Sequence, residues 1–257
     1  MISKGPNSPA VIDLAISQNA SCVRGNHEDR VLLTSRDLTS RLHLSKPKDT
    51  DPPPGGLPDS ASRPTVPPTP DTFFSDPNFV QEIEEYSRLD IAERALARQL
   101  TDQHVGYLSR CPTILDIGSI PHLGHVHAAH AGLIPHIGLS KQDPLSVMEM
   151  RTVDLDTHVP SASSKGTPWF RLWNRYQDLL PASERATVIY GHDSRRGLQL
   201  KSYTKGIDTG CVRGGKLTAL VLTGVQRPGK DLEVVSVPCK DYRHLEEKVL
   251  MQEGRRR

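Results

Sequence analysis

Three times along this chain an apolar, strand-like run ends in a glycine next to a side chain that can bind a metal. The segments are Ser21 to Glu28, Val126 to Gly132 and Thr187 to Asp193. In α/β proteins the ligand crevice lies at the carboxyl ends of the strands, where loops distant in sequence converge. A glycine at each strand end lets the backbone turn sharply enough to present its neighbour. The pattern therefore gathers Asn26, His27, His130 and His192 as candidate site residues. An amide oxygen with two imidazoles suits zinc, manganese or iron(II) better than calcium or magnesium. Spacing alone leaves His122, His125, His127 and His136 as competitors of His130 for the middle position.

The rest of the chain reads as strands separated by helices, which argues for an α/β fold over a sandwich of strands alone or a helix bundle. Apolar periodicity predicts a helix from Asn7 to Gln18, and Ala20 to Val23 reads as a short strand. A polar turn and a short helix follow Arg24. Helices are expected at Asn78 to Leu100, from an N-cap at Thr101–Asp102 to Ser109, at Asp143 to Arg151 and at Phe170 to Leu180. Strands are expected at Thr113 to Ile117, Val126 to His130, Thr187 to Tyr190, Leu217 to Leu222 and Val234 to Val237. The stretch from Ser45 to Thr72 is rich in proline and nearly devoid of large apolar residues, so it reads as a disordered insertion. Domain boundaries follow from these shifts: 1–44 and 78–240 as two parts of one domain, 45–77 as the insertion and 241–257 as a charged tail.

Charge excludes little on its own. The 32 Lys and Arg nearly balance 30 Asp and Glu, so the net +2 gives no global argument for nucleic acid or a membrane surface as partner. No apolar run reaches the roughly 20 residues needed to cross a bilayer, and the first residues lack the apolar core of a signal peptide. The four cysteines are scattered with no C-x-x-C pair, which reads as reduced thiols in a soluble cytoplasmic protein.

The string Gly25-Asn26-His27-Glu28 resembles a motif of the calcineurin-like metallophosphoesterases, and His130-Ala131-Gly132-Leu133 and Gly191-His192 match later motifs in the same order. Lys141 to Pro144, Met148 to Arg151, Gly191 to Leu198 and Gly206 to Val212 are most similar to the ApaH-like branch, which includes fungal endopolyphosphatases. The resemblance implies a β-sandwich flanked by helices and a reaction at phosphorus assisted by divalent metal. It implies Asn26, His130 and His192 as ligands of a zinc, manganese or iron ion, and His27 as the general acid. Lys4, Arg151, Arg195 and Arg196 would bind phosphate. The implied substrate is phosphorylated: polyphosphate, a nucleoside polyphosphate or a phosphoprotein.

Two family motifs that supply carboxylate ligands, Gly-Asp-x-His-Gly and a Gly-Asp pair, do not occur in the sequence. The expectation is accordingly a fold incomplete at its N-terminus and an incomplete metal site. An alternative reading is a catalytically inactive fragment or phosphate-binding module. Relatives with upstream anchors would make a vacuolar or membrane-associated location the alternative to a cytoplasmic one.

Overall fold

The computed structural model describes residues 2–44, 91–222 and 232–242. The proline-rich insertion, the first part of the helix expected from Asn78 and the tail beyond Tyr242 lie outside these residues. Five strands form the main sheet among the described residues. Strands β1 (Ile114–Ile120) and β2 (Gly124–Ala129) make an antiparallel hairpin. Strands β2, β6 (Ala186–Tyr190) and β8 (Thr204–Gly206) run parallel, and β7 (Gln199–Leu200) pairs antiparallel at the edge. Three short strands, β3 (Thr152–Val153), β4 (Pro160–Ser161) and β5 (Thr167–Pro168), make a small separate sheet. A two-stranded sheet joins β9 (Lys216–Leu222) to β10 (Leu232–Pro238).

Among the described residues six α-helices accompany the strands: α1 (Ser8–Ser17), α2 (Asn26–Leu44), α3 over 91–97, α4 (Asp102–Arg110), α5 (Pro144–Glu149) and α6 (Trp169–Leu179). Their starts are written in the sequence. The Asn7 side chain accepts from the Ala10 amide ahead of α1, Asp143 caps Ser146 ahead of α5, and Thr101 and His104 make a reciprocal capping box on α4.

Two apolar cores hold these layers. In one, Trp169, Phe170 and Trp173 of α6 pack with Ala129, Val188 and Tyr190 of the sheet, beside Leu133 and Met150. Burying each large side chain contributes about 1.5–3 kcal/mol. The Trp173 indole N–H donates to the Ala186 carbonyl at 3.1 Å, so its polar atom is satisfied as the ring is buried. A side chain at Gly132 would collide with the Trp169 ring, so α6 can seat against the loop after β2 only across a glycine. The second core joins Ile12, Val31 and Leu32 of α1 and α2 to Leu96, Tyr107 and Leu108 of α3 and α4. The segments 2–38 and 96–111 therefore share one core.

Two expectations need correction. Ala20 to Val23 form no strand: the segment is extended, and just beyond it the Arg24 amide bonds the Pro112 carbonyl at 2.8 Å without a ladder. The cysteines are not thiols, because Cys22 pairs with Cys111 and Cys211 with Cys239. Their partners lie 89 and 28 residues away, separations that carry no signal in a single sequence. No described helix is long and apolar enough to cross a membrane.

Candidate metal centre and phosphate cleft

Because β2, β6 and β8 are parallel, their carboxyl ends open on the same side, and each delivers a polar residue there: His130 after β2, His192 after β6 and Asp208 after β8. The Gly191 amide donates to the His130 carbonyl at 2.9 Å and the Ile207 amide to the Tyr190 carbonyl at 2.9 Å, which ties the three exits together. The N-terminus of α2 meets them, with Asn26 as its first residue and His27 as its second.

The result is a tight cluster of donors. Asn26 Oδ1 lies 3.1 Å from His130 Nε2, and His130 Nε2 lies 3.2 Å from His192 Nδ1. Two atoms each about 2.1 Å from one ion and at right angles would be about 3 Å apart. The His130 ring sits so close to Gly25 that a β-carbon there would come within 2.6 Å of its Nδ1, so this glycine is required by contact. Glu28, buried beside it, accepts from the amides of Ile2 and Gly25, both at 3.1 Å, and fixes the turn into α2.

The rings are also oriented. His192 Nε2 faces the Glu149 carbonyl at 3.1 Å, an interaction that requires N–H at that nitrogen and leaves Nδ1 with its lone pair toward His130. Arg30 of α2 pairs with the Glu149 carboxylate at 3.0 Å and so braces the end of α5 that carries this carbonyl. His192 itself occupies the left-handed region at φ 66, which few residues other than glycine adopt. Burial first, and the neighbouring His192 second, hold His130 down to about 3. Burial and then Lys4 hold His27 down to about 4. His192 is lowered by burial and by Arg151. All three rings are thus neutral near pH 7, the form in which imidazole binds metal. The donor chemistry fits a borderline divalent cation.

These groups stand in a cleft of about 630 Å³ whose wall carries Lys4, Arg151, Arg195 and Arg213, with Asp208 as the one carboxylate among the described residues. A contiguous recess of about 320 Å³ shares Arg151, His192, Arg195 and Arg213, adds the carboxylate of Asp193, which pairs with Arg196, and runs on past Ala162, Ser163 and Ser164. Helix α2 adds its N-terminal dipole to the same space. Of the residues singled out from the sequence, Asn26, His27, His130, His192, Lys4, Arg151 and Arg195 meet here. Arg196 does not: its Nε bonds Asp193 at 2.7 Å and its guanidinium lies 5.5 Å from the centre of the Phe170 ring. Arg213, Asp208 and Tyr242 line the cleft without having been anticipated. They belong to turns whose position is set by pairing elsewhere, such as the Arg213–Asp241 bridge. Among the competing histidines, His130 is the one that lines the cleft.

No protein-family profile matches the chain. A zinc-dependent endopolyphosphatase of Saccharomyces cerevisiae is 27% identical over 249 residues, 93% of this chain and 69% of that protein. A symmetrical bis(5'-nucleosyl)-tetraphosphatase of Ralstonia nicotianae is 37% identical over 97 residues, which span 38% of this chain and 30% of that enzyme. A crystal structure solved for a candidate diadenosine tetraphosphatase superposes with a TM-score of 0.58 at 26% identity, covering 92% of this chain and 76% of that one. Taken with the ordered donors at the strand ends, these likenesses support a metallophosphoesterase of the ApaH-like kind, with a fold consistent with the calcineurin-like one.

Proposed function

We propose that the cleft hydrolyses phosphoanhydride bonds in a chain of several phosphates, with inorganic polyphosphate the preferred substrate. One observation carries the reading: Asn26, His130 and His192 converge at the head of a basic groove longer than one phosphate needs. Arg151, Arg195 and Arg213 continue beyond the donors, whereas Tyr242 is the one six-membered aromatic ring in the described lining, which favours a phosphate chain over a base-stacked dinucleotide. The likeness to an endopolyphosphatase supports the same choice.

In this reading Asn26, His130 and His192 hold the metal, which when bound polarises the phosphoryl oxygen and favours hydroxide at neutral pH. Lys4, Arg151, Arg195 and Arg213 align the phosphate chain and offset its charge. His27 gives a proton to the departing phosphate oxygen. It is neutral in the phosphate-free cleft, and the negative charge of bound substrate raises its proton affinity and readies it for that role. The part of the chain numbered 1–44 and that numbered 78–240 form one catalytic domain, with 45–77 as an insertion. The two cystines favour an oxidising compartment over the reducing cytosol. Free thiols detected in protein isolated without reductant would count against that location.

A second reading has its own observation. The three converging donors are neutral, so they do not offset the charge of an ion as carboxylates would, and a phosphate-binding module without turnover fits that set. Orthophosphate and shortened chains released from long polyphosphate, in zinc or manganese, decide between the two. Diadenosine tetraphosphate, a phosphopeptide and an aryl phosphate serve as comparison substrates. We expect polyphosphate cleavage that disappears in His192→Ala. No turnover of any of the four substrates would overturn hydrolysis in favour of binding.

A further inference from the structure

Strand β2 carries a second group of histidines on its opposite face. Side chains alternate along a strand, so His125 and His127 point away from the side on which His130 leaves for the cleft. Asp116 stands directly opposite His127 across the hairpin, and Ser119 directly opposite His125. Residues 116 and 119 would ordinarily face opposite ways. The bulge between Asp116 and Gly118, with Gly118 at φ 94, shifts the register by one residue and puts both on the face of the two histidines.

The consequence is three donor atoms within 4.8 Å of one another: one each from Asp116, His125 and His127. Asp116 Oδ1 lies 2.7 Å from His125 Nε2 and 3.6 Å from His127 Nδ1. The Asp116–His125 pair by itself is an ordinary exposed ion pair. It does not account for His127, whose side chain is only 8% exposed and whose Nδ1 is buried without a hydrogen-bond partner. An orphaned buried imidazole nitrogen costs free energy and calls for an explanation. Facing a carboxylate oxygen and a second imidazole, it has one in a cation. The Ser119 hydroxyl, 3.4 Å from His125 Nδ1, is the outer partner that a metal-bound imidazole uses to fix its ring.

We propose that Asp116, His125 and His127 form a second metal site, independent of the phosphate cleft, which takes zinc or a similar borderline divalent ion with water in the remaining positions. Two imidazoles and one carboxylate are the donor set such ions prefer. Among the described strands β1 is the edge of the sheet, paired with β2 alone, and carries the bulge. A cation bridging Asp116 to His127 clips the edge strand in its bulged register.

The test uses the full 257-residue protein and zinc alone. Bound zinc is counted after equilibration against a weak chelator, in wild type, in Asn26→Ala/His192→Ala, in His125→Ala and in Asp116→Asn. We expect the double variant to retain one zinc whose affinity falls when His125→Ala or Asp116→Asn is added. The loss should exceed the roughly 10–100-fold that follows removal of an outer partner. His125 and Asp116 are exposed, at 42% and 62%, so these changes leave the fold intact, and in the double-variant background, where the cleft donors are removed, zinc should raise the melting temperature only where both remain. Cobalt(II) added to the double variant gives a second readout, a visible absorption band that His125→Ala abolishes. Zinc content and affinity unchanged by His125→Ala and Asp116→Asn, or no zinc in the double variant, would overturn the proposal.

Discussion

The two faces of β2 present the same side chain under opposite regimes. On one, His130 is buried against Asn26 and His192, with its carbonyl bonded to the Gly191 amide, the buried Glu28 carboxylate behind it and Lys4, Arg151 and Arg195 lining the cleft in front. On the other, His125 and His127 face a carboxylate at the rim of an exposed hairpin. The first arrangement leaves a bound ion with positive charge to direct at an anionic ligand. The second neutralises part of that charge and ties two strands together. Surroundings, more than donor type, separate a chemical site from a structural one.

The largest break in this comparison comes from the cleft ligands. Replacing His192 with Ala should lower polyphosphate turnover about a thousandfold, the equivalent of about 4 kcal/mol of transition-state stabilisation. The His125→Ala variant should keep wild-type turnover under the same assay, so a parallel loss in both would erase the distinction. Next, His27→Ala should cost about a hundredfold or more in turnover with bound metal unchanged, as removal of a proton donor does. Gly25→Ala should fall by a similar factor for another reason, because its β-carbon would push on the His130 ring, and a displacement of about 1 Å can cost about a hundredfold. Metal content separates these two, since only Gly25→Ala should weaken metal retention.

Acid gives a smaller effect. His27 and His130 sit well below the usual imidazole value in the fold, so between about 4 or 3 and about 6.5 the unfolded chain binds protons that the folded chain refuses. Stability is therefore complete above about pH 6.5 and declines as pH falls, by at most about 1.4 kcal/mol per pH unit for each histidine. Urea titrations of metal-free protein from pH 7 to 5 read this directly, and a flat profile would refute it. The smallest expected effect is His125→Ala in zinc-free protein, where loss of an exposed pair should leave the unfolding midpoint unchanged.

Much of this arrangement was legible in the sequence because it depends on local signals. The parallel strands β2 and β6 read from apolar runs, and α4 read from Thr101 as its cap. The segments containing Asn26, His130 and His192 announced themselves through a glycine at each turn. Ala20 to Val23 misled because an apolar run specifies burial, while a strand also requires a partner. Strands β3, β4, β5, β7 and β8 are two or three residues long, too short for periodicity to exist. Arg213 and Asp208 owe their positions to chain pairings that no local pattern encodes. The pair His125 and His127 did carry a signal, since an i, i+2 spacing places them together and, by parity, opposite His130. Their acidic partner needed the bulge to be seen.

His192 links architecture to evolutionary history. Its left-handed backbone costs an imidazole about 1–2 kcal/mol that glycine avoids. A lineage that no longer needs the ring gains stability by losing it, so drift should run toward Gly at this position, with Asn next. Under the proposed ligand role, natural variants at residue 192 gauge that role: retained histidine accords with it, and glycine is the change expected where it is lost.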